Sequence, residues 1–296
     1  MTVTGAPVKY GINLPNFGPQ IDPDGILAWA RTAESVGFDN VLLSDHVVLT
    51  EDAHGRSPSP FYECLATLSW LAGQTETIRL GSGVLIGSHR HPAHLAHATA
   101  TIDRLSGGRL IVGVGVGWTA QAFDVLGVPF DRRGRMTDAT LDTLRAAWSS
   151  ETYESVGASG TPRLVHAGPL PLQKPHPPLW IGGNGRAALD RTNALGTGWH
   201  PLHPSRQLCI AGSTALDEGK EFVPRIYFLP VDSPVDSPNR PLGYGSIEQI
   251  LEDIEFLAEL DTGTIVLDTD PGDQRRRRST AHDLELVRYA GEVMGM

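Results

Sequence analysis

The 296-residue sequence predicts an α/β fold, a (β/α)8 TIM barrel, and two observations carry that expectation. Segments with strand periodicity precede segments with helical periodicity about eight times in succession, and such alternation implies a parallel sheet covered by helices. The first strand lacks the glycine fingerprint of an open dinucleotide-binding sheet, because LPNFGPQ follows Ile12 and contains no GxGxxG. Closure into a barrel is therefore preferred to a doubly wound sheet. No composition shift marks a linker, so 1–296 reads as a single domain.

Residues 8–14, VKYGINL, place Val8, Tyr10, Ile12 and Leu14 on one side and Lys9, Gly11 and Asn13 on the other, the period-two pattern of a strand. A helix is expected over 23–36, where Ile26, Ala30 and Ala33 keep helical spacing and Asp22 before Pro23 supplies a cap and a first-turn proline. The series continues with strand 39–43, helix 61–74, strand 78–86, helix 92–105, strand 109–116 and helix 135–149. After a Gly/Pro-rich excursion over 155–177 come strand 179–182, helix 185–195 and a short strand ending near Gly198. A helical stretch near 205–220, strand 223–230, helix 246–260, strand 264–268 and helix 280–294 complete it.

A net charge of -10 repels polyanions, so neither nucleic acid nor an anionic membrane is an expected partner. Cys64 and Cys209 stand far apart without CxxC spacing, which gives no disulfide framework or zinc ligand set and suits a reducing, cytoplasmic setting. Met1–Lys9 lacks a basic patch followed by an apolar core, and no stretch is apolar for the length a bilayer requires.

In a barrel, chemistry gathers where strands end. The second strand ends in Ser44, Asp45 and His46. His46 could exchange a proton with a bound ring while Asp45 fixes its tautomer; equally, Asp45 could cap the loop and His46 stand idle. In RLIVGVGVGW, Gly113, Gly115 and Gly117 lie two apart and are expected to share a face bare of side chains, either for a planar ligand or for a tight interior. Trp118 occupies the place where GxGxxG would need its third glycine. Around Ser82, Gly81 and Gly83 permit a bulge that could press Val84 into the barrel mouth. Gly182, Gly183, Asn184 and Gly185 join a strand to a helix, where amides could hold phosphate or Asn184 could cap. His89, His91, His94 and His97 lack HExxH or matching carboxylates, so a helix start is favoured over a metal site. Arg275–Arg278 reads as a solvated loop or a holder of an anionic tail.

Taken together, GFDNVLLSDH, IRLGSGVLIGSHRHPAHLAHATATIDRLSGGRLIVGVGVGW, FDVLGVPFDRRGR, PHPPLWIGGNGRAALDRTNALGTGWHPL and GSIEQILEDIEFLAELDTGTIVLD resemble the luciferase-like monooxygenase family, most closely its coenzyme F420-dependent oxidoreductase branch. DRLSGGR followed by VGVGW is the most specific stretch. The resemblance implies the bacterial-luciferase-like form of the barrel, with a cofactor ring at the C-terminal mouth over a bulge in the third strand. That bulge would fall at Gly83-Val84 and contain a non-prolyl cis peptide. It further implies Asp45 and His46 beside the reactive face, and Gly115, Val116, Gly117 and Trp118 along the pocket. The phosphate-bearing tail would meet Gly182, Gly183, Asn184, Gly198, Trp199 and His200. The chemistry implied is hydride transfer between a small organic substrate and deazaflavin C5, with His46 handling the proton. Two departures stand out: no Glu near Trp118, and a shortened stretch from His200 to Val223 that puts the sixth helix in question. The alternatives are an FMN-dependent monooxygenase, which would need a flavin reductase as partner, and a flavin-binding protein without turnover. The family implies a homodimer. Loops 47–60 and 232–245 are expected to meet the substrate.

Overall fold

Parallel strands close on themselves by hydrogen bonds in this computed structural model, which describes residues 7–156, 160–270 and 279–296. In chain order the elements are β1 (Lys9–Leu14), α1 (Pro23–Val36), β2 (Asn40–Leu43), α2 (Glu51–His54), α3 (Cys64–Ala72), β3 (Arg79–Ser82), β4 (Leu85–Ile86) and α4 (Pro92–Leu105). β5 (Leu110–Gly115), α5 (Ala120–Val125), α6 (Arg133–Ser149), β6 (Thr152–Val156), β7 (Pro162–His166), β8 (Leu179–Gly182), α7 (Arg186–Leu195), β9 (Gly198–His200) and α8 (Arg206–Thr214) follow. The last are β10 (Glu221–Phe222), β11 (Arg225–Tyr227), β12 (Leu229–Pro230), β13 (Tyr244–Gly245), α9 (Ile247–Ala258), β14 (Thr264–Asp268) and α10 (Thr280–Met294).

The staves β9, β8, β5, β3, β2, β1 and β14 pair in that order, all in parallel. The segment Glu221–Tyr227 closes the ring: β10 pairs with β9, and β11 pairs with β14. Within it the Val223 amide donates to the Trp199 carbonyl at 2.8 Å, and the Pro224 carbonyl accepts from Val266 at 2.9 Å. One stretch of chain is thus bonded on both sides, and closure removes the edges an open sheet would expose. With β3 and β4 counted as one broken stave and β10 and β11 as another, the alternation expected from the sequence is present, and the fold is a (β/α)8 barrel.

Period-two alternation sorts the strand residues into two cores. Leu42, Ile111, Trp180, Val223 and Val266, from five staves, pack together as one buried cluster, while the larger cluster lies between strands and helices. Local chemistry sets the ends of the helices. Asp22 Oδ1 accepts from the Gly25 amide at 2.7 Å to start α1, and Gly37 stops it at φ 110. Ser246 and Gln249 form a capping box at α9.

Several boundaries differ from the sequence reading. Strand 78–86 is broken into β3 and β4 at Gly83-Val84. Helix 61–74 begins only at Cys64, because Phe61 is drawn into a bridge with Phe17. Helix 135–149 begins two residues earlier, at Arg133. Strand 223–230 splits because β12 leaves the barrel to pair with β13. The Gly/Pro-rich excursion hides a hairpin in which β6 pairs with β7. The sixth helix, left in question by the short 200–223 stretch, is present as α8 but spans only Arg206–Thr214. Among the described residues no helix is long and apolar enough to cross a membrane.

α8 sits so close to β9 that a Cβ on Gly212 would lie 2.0 Å from the Trp199 ring. Gly212→Ala is therefore expected to lower the unfolding free energy in urea by about 1–3 kcal/mol through overpacking, although alanine favours helix. A neutral or stabilising result would contradict this packing.

Candidate active site

At the C-terminal ends of the staves lies a cavity of about 640 Å3, within the range of small-molecule sites. Its floor is made by the break in the third stave. β3 stops at Ser82, the Gly83-Val84 peptide is cis, and the chain resumes as β4 against β5. The Ser82 hydroxyl donates to the Gly113 carbonyl at 2.9 Å and accepts from its amide at 3.0 Å. That side chain thus replaces ladder bonds at the place where strand pairing lapses.

Val84 then points at glycines. A Cβ on Gly115 would meet Val84 Cγ2 at 2.6 Å, one on Gly182 would meet Cγ1 at 2.9 Å, and one on Gly113 would meet the Ser82 carbonyl at 2.1 Å and Val84 Cγ1 at 3.1 Å. This corrects the expectation of an empty glycine face, since Gly113, Gly115 and Gly182 form a socket for the Val84 isopropyl group and the open space begins above it. Gly117 also departs from the pattern. It lies past the end of β5 at φ 77, and its missing Cβ faces Ile86 and Phe123.

His46 stands on the cavity wall, edge-on to Phe61 and Trp118 at ring-centroid distances of 5.3 and 6.4 Å. Its Nδ1 is buried without a protein partner. Burial lowers its pKa below the ordinary histidine value, against the pull of Asp45 and Asp52. Asp45 does not hold the His46 ring. Its carboxylate takes both Arg90 Nη atoms at 2.7 Å and the Ile86 amide at 3.0 Å, so it anchors the chain where it resumes after the break. Arg90, which the sequence reading missed, also binds Glu63.

Across the mouth is a second polar group that the reading did not anticipate. Asp268, at the end of β14, accepts from Arg225 Nε at 2.9 Å and Nη2 at 2.6 Å, and His203 Nε2 lies 3.1 Å away. Arg225 Nη1 reaches over to donate to the Gly83 carbonyl at 3.0 Å. Although burial opposes ionisation, Arg225 and His203 pull the Asp268 carboxyl down to about 2. His200 also faces the cavity. Its Nδ1 lies 2.8 Å from the Val223 carbonyl, and burial pushes its pKa down to about 4. It is therefore a neutral ring with Nδ1 protonated. An acid at the tip of the last strand and an arginine inside the preceding one were the available signals for this group.

The cavity is lined by Asp45, His46, Gly83, Val84, Gly115, Val116, Gly117, Trp118, Gly182, Gly183 and His200, all of them candidate site residues from the sequence. Asn184, Gly198 and Trp199 do not line it. Trp199 is fully buried against α8, with its Nε1 donating to the Gly183 carbonyl at 2.8 Å, and Gly198 packs on Trp180. Asn184 neither caps α7 nor faces the cavity; its side chain bonds both backbone groups of Leu202, at 2.8 and 2.9 Å. The Gly183 amide is turned to the His200 carbonyl at 3.4 Å. Any anion held by this loop must use the amides that follow, where α7 begins. Loop 47–60 contributes Arg56 and Ser57, whereas no residue of 232–245 lines the cavity. Arg240 instead ties that loop to Asp253 at 2.7 and 2.9 Å.

The four clustered histidines diverge. His89 is buried against Phe123 at 4.5 Å, His91 caps α4, and His94 and His97 share an outer groove between α3 and α4. Arg275–Arg278 lies outside the described residues.

A model of the family described as luciferase-like monooxygenase matches residues 7–208. The chain is 29% identical over 205 residues to the F420-dependent hydroxymycolic acid dehydrogenase of Mycobacterium tuberculosis, a match covering 67% of this chain and 54% of that protein. It is 29% identical over 203 residues to an FMNH(2)-dependent dimethylsulfone monooxygenase of Pseudomonas putida, covering 64% and 54%. The chain thus spans about half the length of these curated relatives. A solved monooxygenase from Streptomyces bottropensis superposes with a TM-score of 0.77 at 18% identity, covering 97% of this chain and 98% of that one, and shares the fold.

Two outcomes follow from the buried polar groups. The side chains of Asp45 and Arg90 are 0% and 9% exposed, so Arg90→Met strands a buried carboxylate and should cost about 3–5 kcal/mol in chemical unfolding. His89 and His200 both have pKa values held near 4 in the folded protein. The unfolded chain binds those protons first, so stability should fall as pH drops from about 6.5 to about 4. His89, whose ring nitrogens have no partners, is the simpler one to remove. His89→Phe should make that acid limb shallower in urea titrations at successive pH values, leaving the part due to His200 and His46; an unchanged slope would contradict the assignment.

Proposed function

The chain belongs to the luciferase-like monooxygenase family, and on that premise we propose that it is an oxidoreductase that uses the deazaflavin coenzyme F420 to move a hydride to or from a small organic substrate. The observation that carries the reading is the cavity above Val84. It has an apolar floor seated in glycines, room for a flat ring system, and the His46 ring at its wall. The residues present fit the cofactor: Val84, Gly182, Gly183 and the Gly115–Trp118 wall would hold its ring, and the first amides of α7 its anionic tail. When bound, the deazaflavin supplies a two-electron hydride acceptor or donor.

The protein's part is to orient the reactants and exclude water. His46, kept neutral by burial, is placed to take or return the proton that accompanies the hydride. Asp45 acts through structure, by fixing the chain that carries Ile86. The substrate would enter past Arg56, which lies over the Trp118 ring at 5.2 Å. The relative named as FMNH(2)-dependent supports a second reading, an FMN-dependent monooxygenase served by a separate flavin reductase. The family likeness supports a homodimeric, cytoplasmic enzyme in either case.

Titrating the protein with F420 and with FMN, following fluorescence quenching of each, should give a tight response to F420 and none to FMN. A response to FMN alone would favour the second reading, and no response to either would overturn the enzyme assignment. Gly182→Ala should lift Val84 into the cavity and weaken cofactor binding by about tenfold, on the order of 1.4 kcal/mol. Adding Val84→Ala should restore it. Failure of the double variant to recover would remove the socket from the argument.

A further inference from the structure

An enzyme that moves a hydride between carbon atoms of a cofactor and an alcohol or carbonyl compound must also move a proton at the substrate oxygen. His46 stands at the end of the second stave, and His203 follows the sixth, on the opposite side of the ring. Both line the same cavity.

His203 is fixed by backbone, ring and carboxylate contacts. Its backbone lies in the left-handed region at φ 44, where few residues other than glycine settle unless their surroundings fix them. Its amide donates to the Arg225 carbonyl at 2.8 Å, and its ring stacks on Tyr227 at 3.7 Å between centroids with 20° between planes. Nε2 lies 3.1 Å from Asp268 Oδ2. The Asp268 carboxyl is buried and stays ionised, so it accepts and Nε2 carries the proton. In a neutral imidazole the other nitrogen is then an acceptor. Nδ1 of His203 makes no hydrogen bond with any described residue, and it is not among the buried unpartnered atoms.

The other cavity histidines are placed differently. His200 spends its Nδ1 proton on the Val223 carbonyl and is 3% exposed. His46 has no carboxylate bonded to its ring, because Asp45 is engaged by Arg90 and Ile86. Of these three cavity histidines, only His203 combines a ring bonded to a carboxylate with an accessible second nitrogen.

We propose that His203, oriented by Asp268, is a second acid–base group of this cavity, exchanging a proton at Nδ1 with the oxygen of a bound alcohol or the corresponding carbonyl compound. The inference rests on the function proposed above, and it assigns the proton of the substrate oxygen to His203, so that His46 would exchange its proton with the bound cofactor ring. In the oxidising direction the substrate O–H bond breaks and an Nδ1–H bond forms, while the hydride on the adjacent carbon leaves with its electron pair for the redox cofactor. Reduction runs the same exchange backwards. The imidazolium formed lies against the Asp268 carboxylate, which together with Arg225 holds one negative and one positive charge before the proton arrives.

Two measurements test this. In 15N-histidine NMR of the ligand-free protein, with the ring signals of residue 203 assigned by their loss in His203→Asn, neutral His203 should be the Nε2–H tautomer. An Nδ1–H tautomer would overturn the dyad whatever cofactor binds. In protein loaded with F420 and assayed on a panel of secondary alcohols, His203→Ala should lower kcat about 100-fold with F420 affinity unchanged, and added imidazole should restore part of the rate. His203→Asn serves as the second variant should the alanine form fold poorly. Turnover by either variant within threefold of wild type would overturn this inference alone. Absence of deazaflavin binding by the wild-type protein would instead overturn the proposed function.

Discussion

The site depends on how one break in the barrel wall is held open. The third stave loses its ladder at Gly83-Val84, and unpaired backbone inside a protein is costly unless something else bonds it. Three side chains do so. Ser82 covers the Gly113 peptide, Arg225 covers the Gly83 carbonyl, and Asp45 covers the Ile86 amide. Each of the two charged groups is itself buried and paired, Asp45 with Arg90 and Arg225 with Asp268. Such pairs contribute little net stability compared with apolar packing, yet breaking one is expensive. Their effect here is to fix a geometry: they set where Val84 enters the cavity, and Val84 sets its floor.

The same groups divide the histidines by role. His200 is neutral because burial disfavours the charged ring, and the Val223 carbonyl, which by itself favours the charged form, fixes the proton on Nδ1. His46 is held below its ordinary value by burial and meets the rings of Phe61 and Trp118 edge-on. Of the three cavity histidines, His203 alone bonds a carboxylate among the described residues, and that carboxylate is the one already ionised by Arg225. Three rings in one cavity thus differ through what each nitrogen bonds, and a pocket with several proton-bearing groups suits chemistry in which a hydride and a proton move together.

Much of the site was legible because parallel strands deliver their C-terminal tips to one end of a barrel. His46, Gly83, Val84, Gly115–Trp118, Gly182, Gly183 and His200 therefore line the cavity although each was read from its own short stretch. Alternation along β9 explains the mixed outcome there. Trp199 turns outward onto α8, while His200, one residue on, turns inward at the mouth. Asn184, expected at the cofactor's anionic tail or as a helix cap, instead bonds Leu202, eighteen residues away. The spacing of Gly113 and Gly115 in β5 predicts a face without side chains, but that face is filled by Val84 and Ser82 of another stave.

The sequence by itself determined the order of strands and helices, the closed parallel architecture and the identity of most tips, since periodicity, capping and glycine placement act within a few residues. Only the tertiary structure decided which groups pair across the mouth. Arg90 meets Asp45 across 45 positions, Asp268 meets Arg225 across 43, and Arg225 meets Gly83 across 142. No local pattern encodes such distances, because these partners are brought together by ring closure, which is a property of the whole chain.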